Sequence, residues 1–241
     1  MDSTEGCRLD HRKERTRDPS DDGVASHASS WFQPSSSTPG EQAAGIAGRA
    51  GRVQKKIELE AEALQKAHPS EAVEVWSQDE ARFGLKPILR RVWAPIAERP
   101  LGEIDERYEW LWLYAATHPQ TGRVFWLILP RLDAACVQAF LSEFAKEHAR
   151  AGKHILLVWD GAPAHRATSV QIPERLSLLS VPAYTPELNP SERVWPLVKE
   201  GVANRAHGSL DELEQKVCSR CQKIKAEEVL ARTKYHWWPE L

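Results

Sequence analysis

HILLVWD, residues 154–160, decides the fold: five apolar residues in succession, Ile155 to Trp159, run into a single carboxylate, Asp160. A run that short and that apolar reads as a strand buried on both faces, which belongs inside a sheet and is entered through a crossover helix. The helix stands directly before it. DAACVQAFLSEFAKEHARAG, residues 133–152, places Ala135, Val137, Phe140, Leu141, Phe144 and Ala145 near helical spacing, with Asp133 as N-cap and Gly152 as stop. Upstream lie four strand candidates: EAVEVWSQDE from Glu71, RRVWAPI from Arg90, YEWLWLYAATHP from Tyr108 and RVFWLILP from Arg123. His118 to Gly122 supplies a turn between the last two, so this part reads as an antiparallel meander. Downstream come a short helix within Ala164 to Leu176, the strand LSLLSVPA, a helix from Pro190 to about Ala203, a helix opened by Asp211 toward Lys225, and the aromatic tail YHWWPEL. The order β-β-β-β-α-β-α-β-α predicts an α/β fold, a mixed sheet flanked by helices.

Composition narrows the setting. The chain has 241 residues, 41% hydrophobic and 27% charged, which is ordinary for a globular protein. No window approaches the roughly 18 uninterrupted apolar residues of a membrane span, and MDSTEGCRLDHRKERTRD has no apolar signal core. A membrane partner is not expected. With 32 basic against 34 acidic residues, the net charge of −2 gives no global attraction to nucleic acid, so any positive surface is local. Cys7, Cys136, Cys218 and Cys221 are too scattered for a disulfide scaffold, which points to a reducing, cytoplasmic setting. Residues 1–50, with DPSDDGVASHASS and QPSSSTPGEQAAG, read as a disordered segment. Residues 51–70 read as a lead-in helix with Val53, Ile57, Leu59 and Leu64 on one side, and residues 71–241 as the folded domain.

Three carboxylates sit where a side chain can leave the core. Asp79 ends EVWSQD, Asp160 ends HILLVWD, and Glu192 lies in the first turn of the helix after VPAYTPELNP. Taken singly each has a plain role. A strand-terminal Asp commonly forms a turn, and Asn189-Pro190-Ser191-Glu192 has the form of a capping box. Together they suit a hard divalent cation, which takes oxygen ligands from two or three carboxylates and fills its shell with water and phosphate. Two such ions serve phosphodiester chemistry.

QDEARFGLKPILRRVWAP, VWDGAPAHRA and YTPELNPSERVWPLVK resemble, in order, the three catalytic blocks of the DDE superfamily transposases, especially the mariner-like group and the bacterial insertion-sequence family 630. The 80 residues between Asp79 and Asp160 and the 31 between Asp160 and Glu192 agree with that pattern, and the resemblance runs from about Glu71 to Arg205. It implies a ribonuclease H-like fold, two Mg²⁺ or Mn²⁺ ions held by Asp79, Asp160 and Glu192, and DNA cleavage followed by strand transfer into target DNA. Gly161 stands where many relatives have Asn. Nothing in residues 1–50 resembles the helix-turn-helix domains that read transposon ends, so the resemblance further implies a catalytic half that works with a separately encoded helix-turn-helix half or as a homodimer, at the nucleoid. Two rival readings fit the same blocks: a stand-alone metal-dependent nuclease of this fold, and a catalytically silent remnant that binds DNA or protein.

Other residues have weaker claims. Period-2 alternation turns Glu80 away from Asp79, leaving it a supporting role at most. His165, five residues after Asp160, is a place where relatives often have His; it either orients water or the scissile phosphate or faces solvent. Arg82, Lys86, Arg90 and Arg91 follow the first carboxylate and could hold DNA phosphates, against the alternative of a solvated charged hairpin. Trp195 reads as core fixing its helix to the sheet rather than as a base-stacking platform, and Pro196, inside that helix, predicts a kink. Cys218 and Cys221 form a lone CxxC without a second ligand pair and read as ordinary helix cysteines. Trp237 and Trp238 dock either on the domain or on a second protomer.

Overall fold

The structure, a computed structural model, describes residues 8–9, 39–96, 101–102, 105–161, 169–181 and 186–239, with side chains in the first helix from Gly48 onward. Its strands are β1 (Arg8–Leu9), β2 (Ala72–Gly84), β3 (Trp110–His118), β4 (Arg123–Leu129), β5 (Lys153–Trp159) and β6 (Leu176–Ser180). The helices are α1 (Pro39–Ala67), α2 (Ala134–His148), α3 (Trp195–Glu200), α4 (Leu210–Lys223) and α5 (Ala226–Thr233), with two 3₁₀ turns, Pro186–Leu188 and Pro190–Arg193, before α3. The sheet runs β1-β4-β3-β2-β5-β6. Strands β2, β3 and β4 form an antiparallel meander, while β5 pairs in parallel with β2 on one side and β6 on the other. Only a crossover can return a chain in parallel, and α2 supplies it.

Alternation along the strands sorts the core into two faces. Trp76, Tyr114, Ala116, Phe125, Leu127, Ile155, Leu157 and Trp159 pack under α2 on one face. On the other, Ala81, Phe83, Leu113, Ala115, Trp126 and Ile128 meet α3, α4 and α5, while Val75, Leu156 and Val158 meet α1. The N-cap of α2 is as expected, the Asp133 side chain accepting from the Cys136 N–H. Ala149 closes that helix, three residues before Gly152, which sits at φ +82° in the turn into β5. Gly122, at φ +72° in the β3–β4 turn, has no room for a side chain, because a Cβ there would run into the Ala226 carbonyl at the start of α5.

Several elements differ from the sequence expectation. RRVWAPI is not a strand, and Val92, Trp93 and Ile96 are exposed. β3 already has β2 on one edge and β4 on the other, so the segment has no edge there to join. Helix α1 starts at Pro39, which makes residues 39–50 helical, and Arg8–Leu9 lie along the edge of β4; the rest of 1–50 falls outside the described residues. Leu59 faces solvent, and the buried stripe of α1 is Ala50, Val53, Ile57 and Ala61. The helix expected within Ala164 to Leu176 falls partly outside the described residues, and 169–175 are not helical. The helix expected from Pro190 is split into a 3₁₀ turn and α3, so Pro196 does not kink a helix but opens one, at its first turn, where its missing N–H costs nothing. Ser209, not Asp211, caps α4, and α5 follows as a separate helix.

Candidate active site

Asp79 is not at a strand end. It sits inside β2, paired with Ala115 of β3, and its face of the sheet is that of Ala81 and Phe83. Pairing of β2 with β5 stops at Ser77 opposite Val158, two residues earlier. The backbone released there is taken up by the 3₁₀ turn that carries Glu192. Ser191 Oγ donates to the Ser77 carbonyl at 2.8 Å and lies 2.7 Å from Ser77 Oγ, and Asn189 Nδ2 donates to the Gln78 carbonyl at 2.9 Å. Asn189 Oδ1 also accepts from the Ser191 N–H at 3.1 Å, so it caps the turn and ties it to the strand at once. These buried bonds fix Glu192 beside Asp79. Asp160, just past β5, continues the parity of Leu156 and Val158 onto the same face.

The electrostatics record the gathering. Burial, the charge of Glu192 and that of Glu80 push the Asp79 carboxyl well above the usual range, against the opposing hydrogen bond from Trp195. Glu192 is also raised, by partial burial and by Asp160, with Lys199 acting the other way. Each carboxyl lies in the other's field: the charge of Glu192 raises Asp79, and a side-chain hydrogen bond with Asp79 works against the rise of Glu192. Carboxyls crowded in a dry site share protons when no cation neutralises them.

Trp195 does more than pack. Its ring is buried 6.3 Å from that of Trp126, and its Nε1 donates to Asp79 Oδ2 at 2.6 Å. This bond, the ties from Asn189 and Ser191, and the charge of Lys199 were not read from the sequence. Asn189 had shown only as a cap and Trp195 only as core. Trp195→Phe keeps the packing and removes the donor, leaving a buried carboxylate oxygen unserved. We expect divalent-cation affinity to fall by about tenfold, as for loss of a group that orients a ligand, with the helical content unchanged. Titration calorimetry with Mn²⁺ measures it, and wild-type affinity would mean the indole does not hold Asp79.

The remaining candidates are placed as follows. Glu80 lies on the α2 side of the sheet, opposite Tyr114, where it accepts from Gln78 Nε2 at 2.8 Å. Arg82 shares that parity, its guanidinium 5.1 Å from the centre of the Trp110 ring. Lys86 lies over Tyr108 at 5.8 Å, and the Arg90 N–H donates to Asn204 Oδ1 at 2.7 Å. Lys86, Arg90 and Arg91 are all exposed on the segment leaving β2. His165 lies outside the described residues. Cys221 is buried in the α4 core, and Trp237 and Trp238 pack against α1.

A ribonuclease H-like sheet that presents three carboxylates on one face defines a class of nucleic-acid-cutting enzymes. Within that class the chain belongs to the DDE superfamily endonucleases, whose family model matches residues 74–214, over half its length. Its fold is similar to that of Mos1, in the mariner Mos1 paired-end complex with Mg (TM-score 0.55, 15% identity, 89% of this chain and 65% of that one). The Mos1 strand transfer complex matches likewise (TM-score 0.53, 15% identity, 78% of this chain), and there the chain spans only 58% of the Mos1 chain. An uncharacterized protein of Sinorhizobium fredii, y4pE/y4sA, is 28% identical over 116 residues, which are 48% of this chain and 85% of that protein.

Proposed function

We propose that this chain is the catalytic half of a transposase, which cuts transposon ends and joins the freed 3′-hydroxyl to target DNA. What supports the reading is the placement of Asp79, Asp160 and Glu192 toward one sheet face, near enough that the charge of Glu192 raises Asp79 and that of Asp160 raises Glu192. An all-oxygen donor set of this kind fits Mg²⁺ or Mn²⁺, and Mos1 complexes have been solved with each of these metals. Asp79, Asp160 and Glu192 would hold two such ions. When bound, the ions activate the attacking water or 3′-hydroxyl and neutralise the leaving oxygen.

The chain's own groups do the positioning. Trp195 fixes the Asp79 carboxylate, Asn189 and Ser191 fix the turn under Glu192, and Lys199 tempers the charge of Glu192. The exposed Lys86, Arg90 and Arg91 offer phosphate contacts that set register without reading sequence. Recognition of the ends then falls to a helix-turn-helix half encoded apart, or to a homodimer, at the nucleoid.

The test is strand transfer from a precut end in Mg²⁺, with and without the helix-turn-helix half. Joined products, raised by adding that half, are expected. Nicking without any joining would make the chain a stand-alone nuclease, and the absence of both would make it a silent remnant.

A further inference from the structure

A second cluster lies at the other end of the same strands. Among the described residues, His68, Glu71 and His154 bring one donor atom each within 4.8 Å of one another. His68 and Glu71 flank the turn His68-Pro69-Ser70-Glu71 between α1 and β2, closed by a 3.0 Å bond from the Glu71 N–H to the His68 carbonyl. Proline at its second position presets that turn. His154 is the second residue of β5, six residues before Asp160, which places the cluster about 20 Å from the catalytic carboxylates along the strand.

The hydrogen bonds around the cluster leave its inner atoms facing each other. Glu71 Oε1 is taken by Arg175 Nε at 2.7 Å, and His154 Nε2 by Ser177 Oγ at 2.9 Å. Glu71 Oε2 and His154 Nδ1 are buried with no hydrogen-bond partner, 3.4 Å apart. His68 Nδ1 reaches the same Glu71 oxygen at 3.8 Å from a half-exposed ring stacked on His154. In the tautomer whose Nε2–H donates to Ser177 Oγ, the Nδ1 lone pair of His154 points at a carboxylate oxygen. In that tautomer a cation between the two atoms would satisfy both. Donors around tetrahedral zinc lie roughly 3.3 Å apart when each bond is about 2.0 Å, close to the observed separation. Ser177 and Arg175 do what partners of metal ligands do: they hold the orientation of the ring and of the carboxylate.

We propose that His68, Glu71 and His154 form a zinc-class divalent cation site, separate from the catalytic centre. Two imidazoles and one carboxylate favour Zn²⁺ over Mg²⁺ and leave the fourth position to water. The half-exposed His68 ring tilts to bring its lone pair onto the ion. Bound metal clips the end of α1 to β2, β5 and the approach to β6.

The test uses the full chain, stripped with chelator and titrated with Zn²⁺ against a chromophoric competitor. One saturable equivalent is expected, at least about tenfold weaker in His68→Ala and in Glu71→Gln, both with unchanged circular dichroism. The triple variant Asp79→Asn/Asp160→Asn/Glu192→Gln should bind Zn²⁺ as the wild type does. X-ray absorption at the zinc edge should show imidazole nitrogen and oxygen without sulfur. Absence of a saturable equivalent, wild-type affinity in His68→Ala, sulfur ligands, or loss of binding in the triple variant would each overturn the proposal, leaving a proton as the cation between Glu71 and His154.

Discussion

Asp79→Asn, Asp160→Asn and Glu192→Gln each reduce cleavage of an uncut transposon end by at least about a thousandfold, roughly 4 kcal/mol of lost transition-state stabilisation, while the domain stays folded. An amide keeps the shape and removes the anionic oxygen that a hard cation needs. Asp79 gives the sharpest form of the result. Burial and the neighbouring Glu192 already disfavour its charged form, so asparagine removes a charge that the folded site opposes. The metal-free variant should therefore melt no lower than the wild type. Nicking assays and thermal melts in chelator read the two halves of the outcome. Substantial cleavage by any one variant would remove that residue from the catalytic set.

The second large effect is a cation-dependent and pH-dependent stability. Asp79 and Glu192 are both raised on folding, so below ordinary carboxylate values, near pH 4, they cost nothing. As pH climbs from there through their folded values, the unfolded chain releases protons that the folded chain still holds, and stability is lost. Mg²⁺ or Mn²⁺ competes for the same oxygens and restores it. At 100 times its dissociation constant a cation adds about 2.7 kcal/mol, roughly 5–10 °C for a domain of this size. Melts at pH 6 and pH 8 with and without Mn²⁺ should show apo stability falling with pH in the wild type, a flatter profile in Asp79→Asn, and a much smaller Mn²⁺ shift in Asp160→Asn. Equal shifts in wild type and Asp160→Asn would place the ions elsewhere.

The sheet was legible because its strands carry their burial in plain pattern: HILLVWD is apolar on both sides, and Trp76, Gln78 and Glu80 alternate with Ser77, Asp79 and Ala81. That alternation already set Glu80 apart from Asp79. RRVWAPI misled because apolar content alone does not make a strand; an available edge does, and β2 and β4 occupy both edges of β3. The carboxylates were visible as ends of apolar runs, yet what fixes them was not. Asn189 and Ser191 look like ordinary capping residues, and their bonds to the Gln78 and Ser77 carbonyls appear only once β2 outruns β5. Trp195 is as buried as any core residue, and its pattern does not tell that its one polar atom meets a carboxylate. The cluster of His68, Glu71 and His154 left no trace, because its halves lie on either side of the meander and α2.

The tie between β2 and the turn carrying Glu192 also orders events in time. Ser77 finds Ser191 across 114 positions and Asp79 finds Trp195 across 116, so these are among the late loops a growing polypeptide can close. The meander of β2, β3 and β4 can pair while the ribosome is still adding α2, and β5 can slot beside it soon after. Glu192 cannot take its place until Trp195 and the helix behind it have cleared the exit tunnel. A nascent chain thus carries two of the three carboxylates proposed to hold the cations for some 30 residues of synthesis at about 5–20 residues per second, and the proposed cation site stays incomplete for that whole interval.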